Sequence, residues 1–133
     1  MFGSCLCGEI NYEVDCFSPE ITNCHCGMCR KFHGAAFATY GKVQLKDFRW
    51  LEGQKLLTIY PSSSNAVRGF CSLCGSSLYY QITHQKNQLS IAIGTLDDEP
   101  SRAVDNSIFC SSKPKWVQQN SSIPEYPEYP EWN

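Results

Sequence analysis

Three cysteines fall within six residues in the stretch Cys24-His25-Cys26-Gly27-Met28-Cys29, followed at once by Arg30 and Lys31. Packing gives no reason for such a run, because a buried thiol behaves as a small hydrophobe and gains nothing from clustering. A C-x-C-x-x-C segment puts three soft donors on one short piece of backbone, and this suits a metal ion. The chain holds nine cysteines in 133 residues, and seven of them are paired this closely: Cys5-x-Cys7, Cys24-x-Cys26-x-x-Cys29 and Cys71-x-x-Cys74. A disulfide framework is the competing reading. It spreads cysteines to close long loops, whereas a metal site pairs them within one turn. The spacing therefore favours metal over disulfides, and the odd count points the same way. Iron–sulfur ligation is the chemical competitor to zinc, and the C-x-C pairs fit it less well.

Zinc takes four protein ligands in a structural site and three in a catalytic one, where a position stays open. Seven cysteines divide naturally as four plus three. Cys5, Cys7, Cys71 and Cys74 would close one shell and tie the N-terminus to the second half, so that metal binding adds to folding. Cys24, Cys26 and Cys29 would form an incomplete shell with room for water or substrate. Spacing alone leaves a swapped wiring open. Cys16 and Cys110 stand outside every motif and read as a core or surface thiol each. His25 and His33 flank the three-cysteine stretch; each reads as a packing or hydrogen-bonding residue, with a fourth ligand or proton shuttle as the alternative. Arg30 and Lys31 offset the charge of three thiolates on a dication, or meet an anionic substrate. Trp50, Tyr60 and Trp116 read as core or groove-lining residues.

The rest of the chain specifies what carries these motifs. Residues 9–14 alternate polar and apolar, and Ile21-Thr22-Asn23, residues 36–40, Leu56 to Tyr60, Ser77 to Ile82 and Leu89 to Ile93 are rich in β-branched and aromatic residues. Gly, Ser and Pro turns separate them, with the clearest at Pro61-Ser62-Ser63-Ser64-Asn65 and a connector of one possible helical turn at residues 32–35. No dozen-residue window holds a helical period, so the expectation is an all-β domain of small twisted antiparallel sheets. The size suits one domain with a real core. The expected division is a zinc-binding domain over residues 1–120 and a tail over 121–133. That tail carries the repeat Pro124-Glu125-Tyr126-Pro127-Glu128-Tyr129-Pro130-Glu131-Trp132, which reads as an extended segment lying on or projecting from the surface.

The formal net charge is −2, with no basic stripe, so nucleic acid is not an expected partner. No apolar run approaches a membrane span, and the N-terminus has no signal-peptide pattern. A cytoplasmic, reducing location is the expectation.

Taken together, Gly3-Ser4-Cys5-Leu6-Cys7-Gly8, the Cys24 to Lys31 stretch and Phe70-Cys71-x-x-Cys74-Gly75-Ser76 resemble the glutathione-dependent formaldehyde-activating enzyme family, to which centromere protein V is related. Gly94-Thr95-Leu96-Asp97-Asp98 and Ser112-Lys113-Pro114-x-x-Trp116 look like its C-terminal signatures. The resemblance implies a β-tent fold, a structural zinc on Cys5, Cys7, Cys71 and Cys74, and a catalytic zinc on Cys24, Cys26 and Cys29. It implies a carbon–sulfur lyase that joins a glutathione-like thiol to formaldehyde. Arg30, Lys31 and Lys113 are then the candidate cations for substrate carboxylates. One position departs from the pattern: Ser107 stands before Ile108-Phe109 where relatives usually carry His. A zinc-stabilised binding module without catalysis and a thiolate-based redox or metal sensor are the alternative functions.

Overall fold

The computed structural model describes residues 1–118 and 122–130. Glu131 and Trp132, at the end of the expected tail, lie outside the described residues. The fold is mainly β, a β-tent of two twisted sheets. The smaller sheet has the order β1-β2-β5, from β1 (Phe2–Ser4), β2 (Asn11–Val14) and β5 (Phe48–Glu52). The larger is built from β3 (Ile21–Cys24), β4 (Ala38–Gln44), β6 (Leu57–Ser63), β7 (Ala66–Cys71), β8 (Ser77–Ile82), β9 (Gln88–Ala92) and β10 (Asn106–Ile108). Its order is β10-β3-β4-β9-β8-β7-β6, antiparallel except for the parallel pair β10 with β3.

Alternation along the strands creates two cores. On one side, Tyr12, Val14, Ile21, Val43, Leu78 and Ile91 pack with Phe17 and Phe48 between the sheets. Trp50 joins them at the edge of the Tyr12, Phe48 and Tyr79 rings. A Cβ at Gly41 would collide with the Phe17 ring, so glycine there is what lets β4 lie flat on the core. On the other side, a smaller cluster surrounds the cysteine stretch: Cys24, Cys29, Ala38, Tyr40, Ala92 and Ile108.

Two local expectations change. The three-cysteine stretch runs into a helix, α1 (Gly27–His33), which begins well before the single turn expected at residues 32–35. Cys26 is its N-cap: the sulfur accepts the Cys29 N–H at 3.3 Å, as a Ser or Asp oxygen does elsewhere. Gly34 ends it at φ 60°, a left-handed residue at the C-terminal stop. The turn expected over 61–65 shrinks to Ser64 and Asn65, because β6 continues through Pro61. β6 is the sheet's outer strand, where proline removes no N–H that the ladder needs.

The C-terminal segment lies along β10. Ser107 donates its N–H to Pro124 O at 2.9 Å and accepts the Tyr126 N–H at 2.8 Å, a parallel bridge at Glu125. Cys110 and Ser111 N–H groups bond Tyr126 and Pro127 carbonyls at 3.0 and 3.1 Å, and Lys113 pairs with Glu125 at 2.9 Å. Among the described residues no helix is long and apolar enough to cross a membrane.

Candidate metal centre and cavity

All nine cysteines are free thiols. Seven gather into two groups, each with its sulfurs within 4.8 Å of one another: Cys5, Cys7, Cys71 and Cys74, and separately Cys24, Cys26 and Cys29. Cys16 and Cys110 join neither.

The four-cysteine group sits where the two sheets meet. Cys5 and Cys7 come from the β1–β2 connection of the small sheet. Cys71 ends β7 of the large sheet, and Cys74 lies in the turn after it. Cys5 and Cys7 sulfurs are 3.5 Å apart, and Cys7 lies 3.9 Å from Cys71. Backbone N–H groups also aim at the cluster, with Ile10 N–H on Cys5 sulfur at 3.3 Å. Gly75, at φ 77°, lets the Cys71–Cys74 knuckle close through its N–H on Cys71 O at 2.9 Å. Beside it, Leu6 N–H reaches Ser76 Oγ at 2.8 Å. Four thiols at a tetrahedron's scale match a closed zinc shell.

The three-cysteine group is set by one strand end and one helix start. β3 delivers Cys24, the cap supplies Cys26 and the first turn of α1 supplies Cys29. Cys24 and Cys29 are buried, and Cys26 is half-buried. Hydrogen bonds from Cys24 and Cys29 hold the Cys26 thiol down at about 2. Cys24 is pushed up by its bonds to Cys26 and Cys29 and by burial. Cys29 is lowered by its contact with Cys24, but Cys26 and burial outweigh this and raise it. The trio therefore favours negative charge, shared through the hydrogen bonds among its sulfurs.

The balancing charge is Arg68. It is 4% exposed, has no carboxylate partner among the described residues, and sits between the rings of Phe32 and Tyr80 at 5.4 and 5.2 Å from their centroids. Its Nη1 lies 3.5 Å from Cys29 sulfur and 3.3 Å from Tyr40 Oη. A buried guanidinium without a carboxylate is costly unless an anion faces it. The thiolate group is that anion. Three thiolates on Zn²⁺ would leave one negative charge, which one arginine neutralises. The donor set thus fits a zinc ion.

Tyr40 Oη also bonds His33 Nε2 at 2.8 Å, so this hydroxyl joins helix α1 to Arg68. Burial, and Arg68 after it, push the His33 imidazole down to about 4. Burial pushes the Tyr40 phenol up, with the thiols of Cys29 and then Cys24 adding to it.

The trio floors a cavity of about 330 Å³. The pleat explains its walls. One face of the large sheet presents Glu20, Thr22 and Cys24 in a row, then Tyr40 and Lys42, Ala66 and Arg68, Tyr80 and Ile82 from the strands beside it. Tyr129 of the C-terminal segment adds the last wall.

Other expected residues stand elsewhere. His25 is fully buried, 5.1 Å from the Phe37 ring, and does not line the cavity; neither ring nitrogen has a hydrogen-bond partner among the described residues. Arg30 bonds His25 O at 3.1 Å, Lys31 is exposed, and Lys113 is held by Glu125. None of these three cations lines the cavity. Tyr60 and Trp116 are exposed at 58% and 66%. Ser107 is fully buried, and its backbone receives the C-terminal segment. Arg68, Tyr40, Lys42, Glu20 and Tyr129 were invisible as site residues from sequence. Their only signal is phase: each strand residue among them falls on the face that Cys24 occupies.

A two-sheet β-tent with two cysteine clusters that could each hold a metal ion, one of them opening into a cavity, defines the class of protein. Residues 1–112 match the profile of the glutathione-dependent formaldehyde-activating enzyme family. The chain belongs to this family. It is 34% identical over 85 residues to an uncharacterized lyase of Schizosaccharomyces pombe, a match that spans 64% of this chain and 60% of that protein. A crystal structure of a Rhodobacter sphaeroides protein superposes with a TM-score of 0.64 at 26% identity, covering 77% of this chain and 93% of that one.

Proposed function

We propose that the chain is a zinc-dependent carbon–sulfur lyase that joins a glutathione-like thiol to a small carbonyl such as formaldehyde, and releases it in reverse. The observation that carries the reading is a three-thiol floor under a cavity, with a buried arginine set against it. Cys24, Cys26 and Cys29 would hold the catalytic zinc, and Cys5, Cys7, Cys71 and Cys74 a structural one. A zinc ion in the three-cysteine group would supply Lewis acidity and favour the thiolate form of a substrate thiol.

The chain's own residues do the rest. The cavity brings the two reactants together and limits water. The substrate sulfur attacks the carbonyl carbon; a C–S bond forms, the C=O π bond breaks, and the proton given up by the thiol ends on the oxygen. Arg68 Nη1 and the Tyr40 hydroxyl supply N–H and O–H donors on the cavity wall for the negative charge that develops. We take residues 1–120 as the working unit and 121–133 as its appended segment. Nine unpaired thiols suit a reducing compartment such as the cytoplasm.

Exchange of formaldehyde with glutathione, followed by NMR exchange spectroscopy, tests this. The zinc-loaded protein is expected to raise the exchange rate and the Cys26→Ser variant to leave it at the uncatalysed value. An uncatalysed rate with the zinc-loaded wild type overturns the reading.

A further inference from the structure

The cavity has two chemically different ends. The cysteine trio occupies one. Four residues back along the same face, Glu20 meets Lys42 at 2.8 Å, with side chains 11% and 21% exposed. Lys42 N–H also bonds Glu20 O at 3.1 Å, so the pairing of β3 with β4 extends to this point and fixes both side chains on the cavity face. Asn106 Nδ2 donates to the second Glu20 oxygen at 3.0 Å. Tyr129 completes the group: its hydroxyl bonds Lys42 Nζ and lies 3.4 Å from Glu20 Oε1.

Counting donors and acceptors shows what this end can still take. A lysine ammonium has three N–H donors, and Glu20 and Tyr129 use two. Each carboxylate oxygen accepts about two hydrogen bonds, and Glu20 Oε2 has one from Asn106. Among the described residues, one Lys42 N–H and one Glu20 lone pair have no partner, and both residues line the cavity. Burial raises the Glu20 carboxyl, but bonds from Lys42 and Asn106 more than offset it, so Glu20 stays ionised. The pair is neutral as a whole. A lone anion or a lone cation would be repelled by one member, and a zwitterion satisfies both.

We propose that Glu20, Lys42 and Tyr129 form a subsite for the zwitterionic α-amino acid head of a γ-glutamyl thiol, with the sulfur directed to the cysteine trio. This rests on the thiol reading of the three-cysteine group. The span agrees with it. Four strand residues separate the Cα atoms of Glu20 and Cys24 by about 13 Å, and side chains on one strand face stand nearly parallel, so their tips keep about that separation. A γ-glutamyl head lies about 7–10 Å from its cysteinyl sulfur when extended, and a contact of about 3 Å at each end brings the reach to that distance. Free cysteine is too short to reach both ends. Tyr129 lies beyond residue 112, where the family match ends. The subsite also supplies the polar contact that Arg30, Lys31 and Lys113, away from the cavity, do not.

Calorimetric titration of the full-length protein with S-methylglutathione tests the subsite, because a thioether cannot bind as a thiolate. The unaltered protein is expected to bind it, and to bind the analogue acetylated on the γ-glutamyl nitrogen about ten-fold more weakly or worse. Lys42→Met and Glu20→Gln are expected to cost about as much for the parent ligand, and Tyr129→Phe about three-fold or more. The acetylated ligand and Tyr129→Phe leave the β3–β4 pairing intact, so they decide the matter if the charge variants fold poorly. No binding of S-methylglutathione, equal binding of its acetylated form, or undiminished affinity in Tyr129→Phe each overturns the subsite. Lysine-dependent binding without thiol exchange keeps the subsite and overturns the lyase reading; exchange without discrimination between the two ligands does the reverse.

Discussion

At the scale of single residues, Arg68 carries most of the physics of the site. In sequence it is an ordinary polar residue in Val67-Arg68-Gly69, and no motif marks it. Its burial without a carboxylate becomes visible only when β7 is set beside β4 and α1. It should matter to the metal before it matters to the fold. Arg68→Met is expected to weaken retention of zinc in the three-cysteine group about ten-fold, the worth of one charge-assisted contact, as measured by competition with a chromogenic chelator. Unchanged retention would separate Arg68 from the thiolates. His33 makes a second prediction. Its folded pKa is depressed to about 4, below the ordinary 6.5. As pH falls below 6.5 the unfolded chain binds a proton that the folded chain refuses, so stability present above pH 6.5 is lost progressively towards pH 4. Thermal melts should show a steeper loss over that window in wild type than in His33→Gln. Parallel curves would contradict the assignment.

At the scale of elements, the strands were the most legible part, because alternation and β-branched runs report burial directly. The strands expected at Ile21 to Asn23, Ser77 to Ile82 and Leu89 to Ile93 are met by β3, β8 and β9 to within one residue at each end. Helix α1 was hidden for a physical reason: seven residues are too few to display a period, and its start depends on a thiol cap that sequence rules do not weigh. Pro61 misled in the opposite direction, since proline reads as a strand breaker until the strand is known to be the outer one. The element-scale prediction concerns the end of α1. Gly34 sits at φ 60°, and a Cβ there would meet nothing within 4 Å, so Gly34→Ala isolates the backbone cost. It should destabilise the chain by about 1 kcal/mol in denaturant titrations. A neutral result would mean that the helix end relaxes.

At the scale of the whole molecule, the two cysteine groups stand apart, one between the sheets and the other under the cavity. Ligand counting alone gave the four-plus-three division but left the wiring open; the meeting of β1–β2 with β7 brings Cys5 and Cys7 to Cys71 and Cys74. This group joins the two sheets, so its loss should be global. Cys71→Ser is expected to remove cooperative thermal unfolding or lower Tm well beyond the shift in Cys26→Ser, whose sulfur serves the cavity. Similar melts for the two variants would contradict the division. The cavity's far wall was not legible, because a proline-rich segment gives no sign in sequence of which strand it will lie against. The segment that brings Tyr129 to Lys42 pairs with β10 at Ser107.

The division itself is open to one direct measurement, anomalous scattering at the zinc edge from crystals of the zinc-loaded chain. The account requires two zinc sites: one ringed by Cys5, Cys7, Cys71 and Cys74, the other bound by Cys24, Cys26 and Cys29 with its fourth position facing the cavity. A single zinc in the four-cysteine group, or a second zinc closed by a fourth protein ligand, would contradict it.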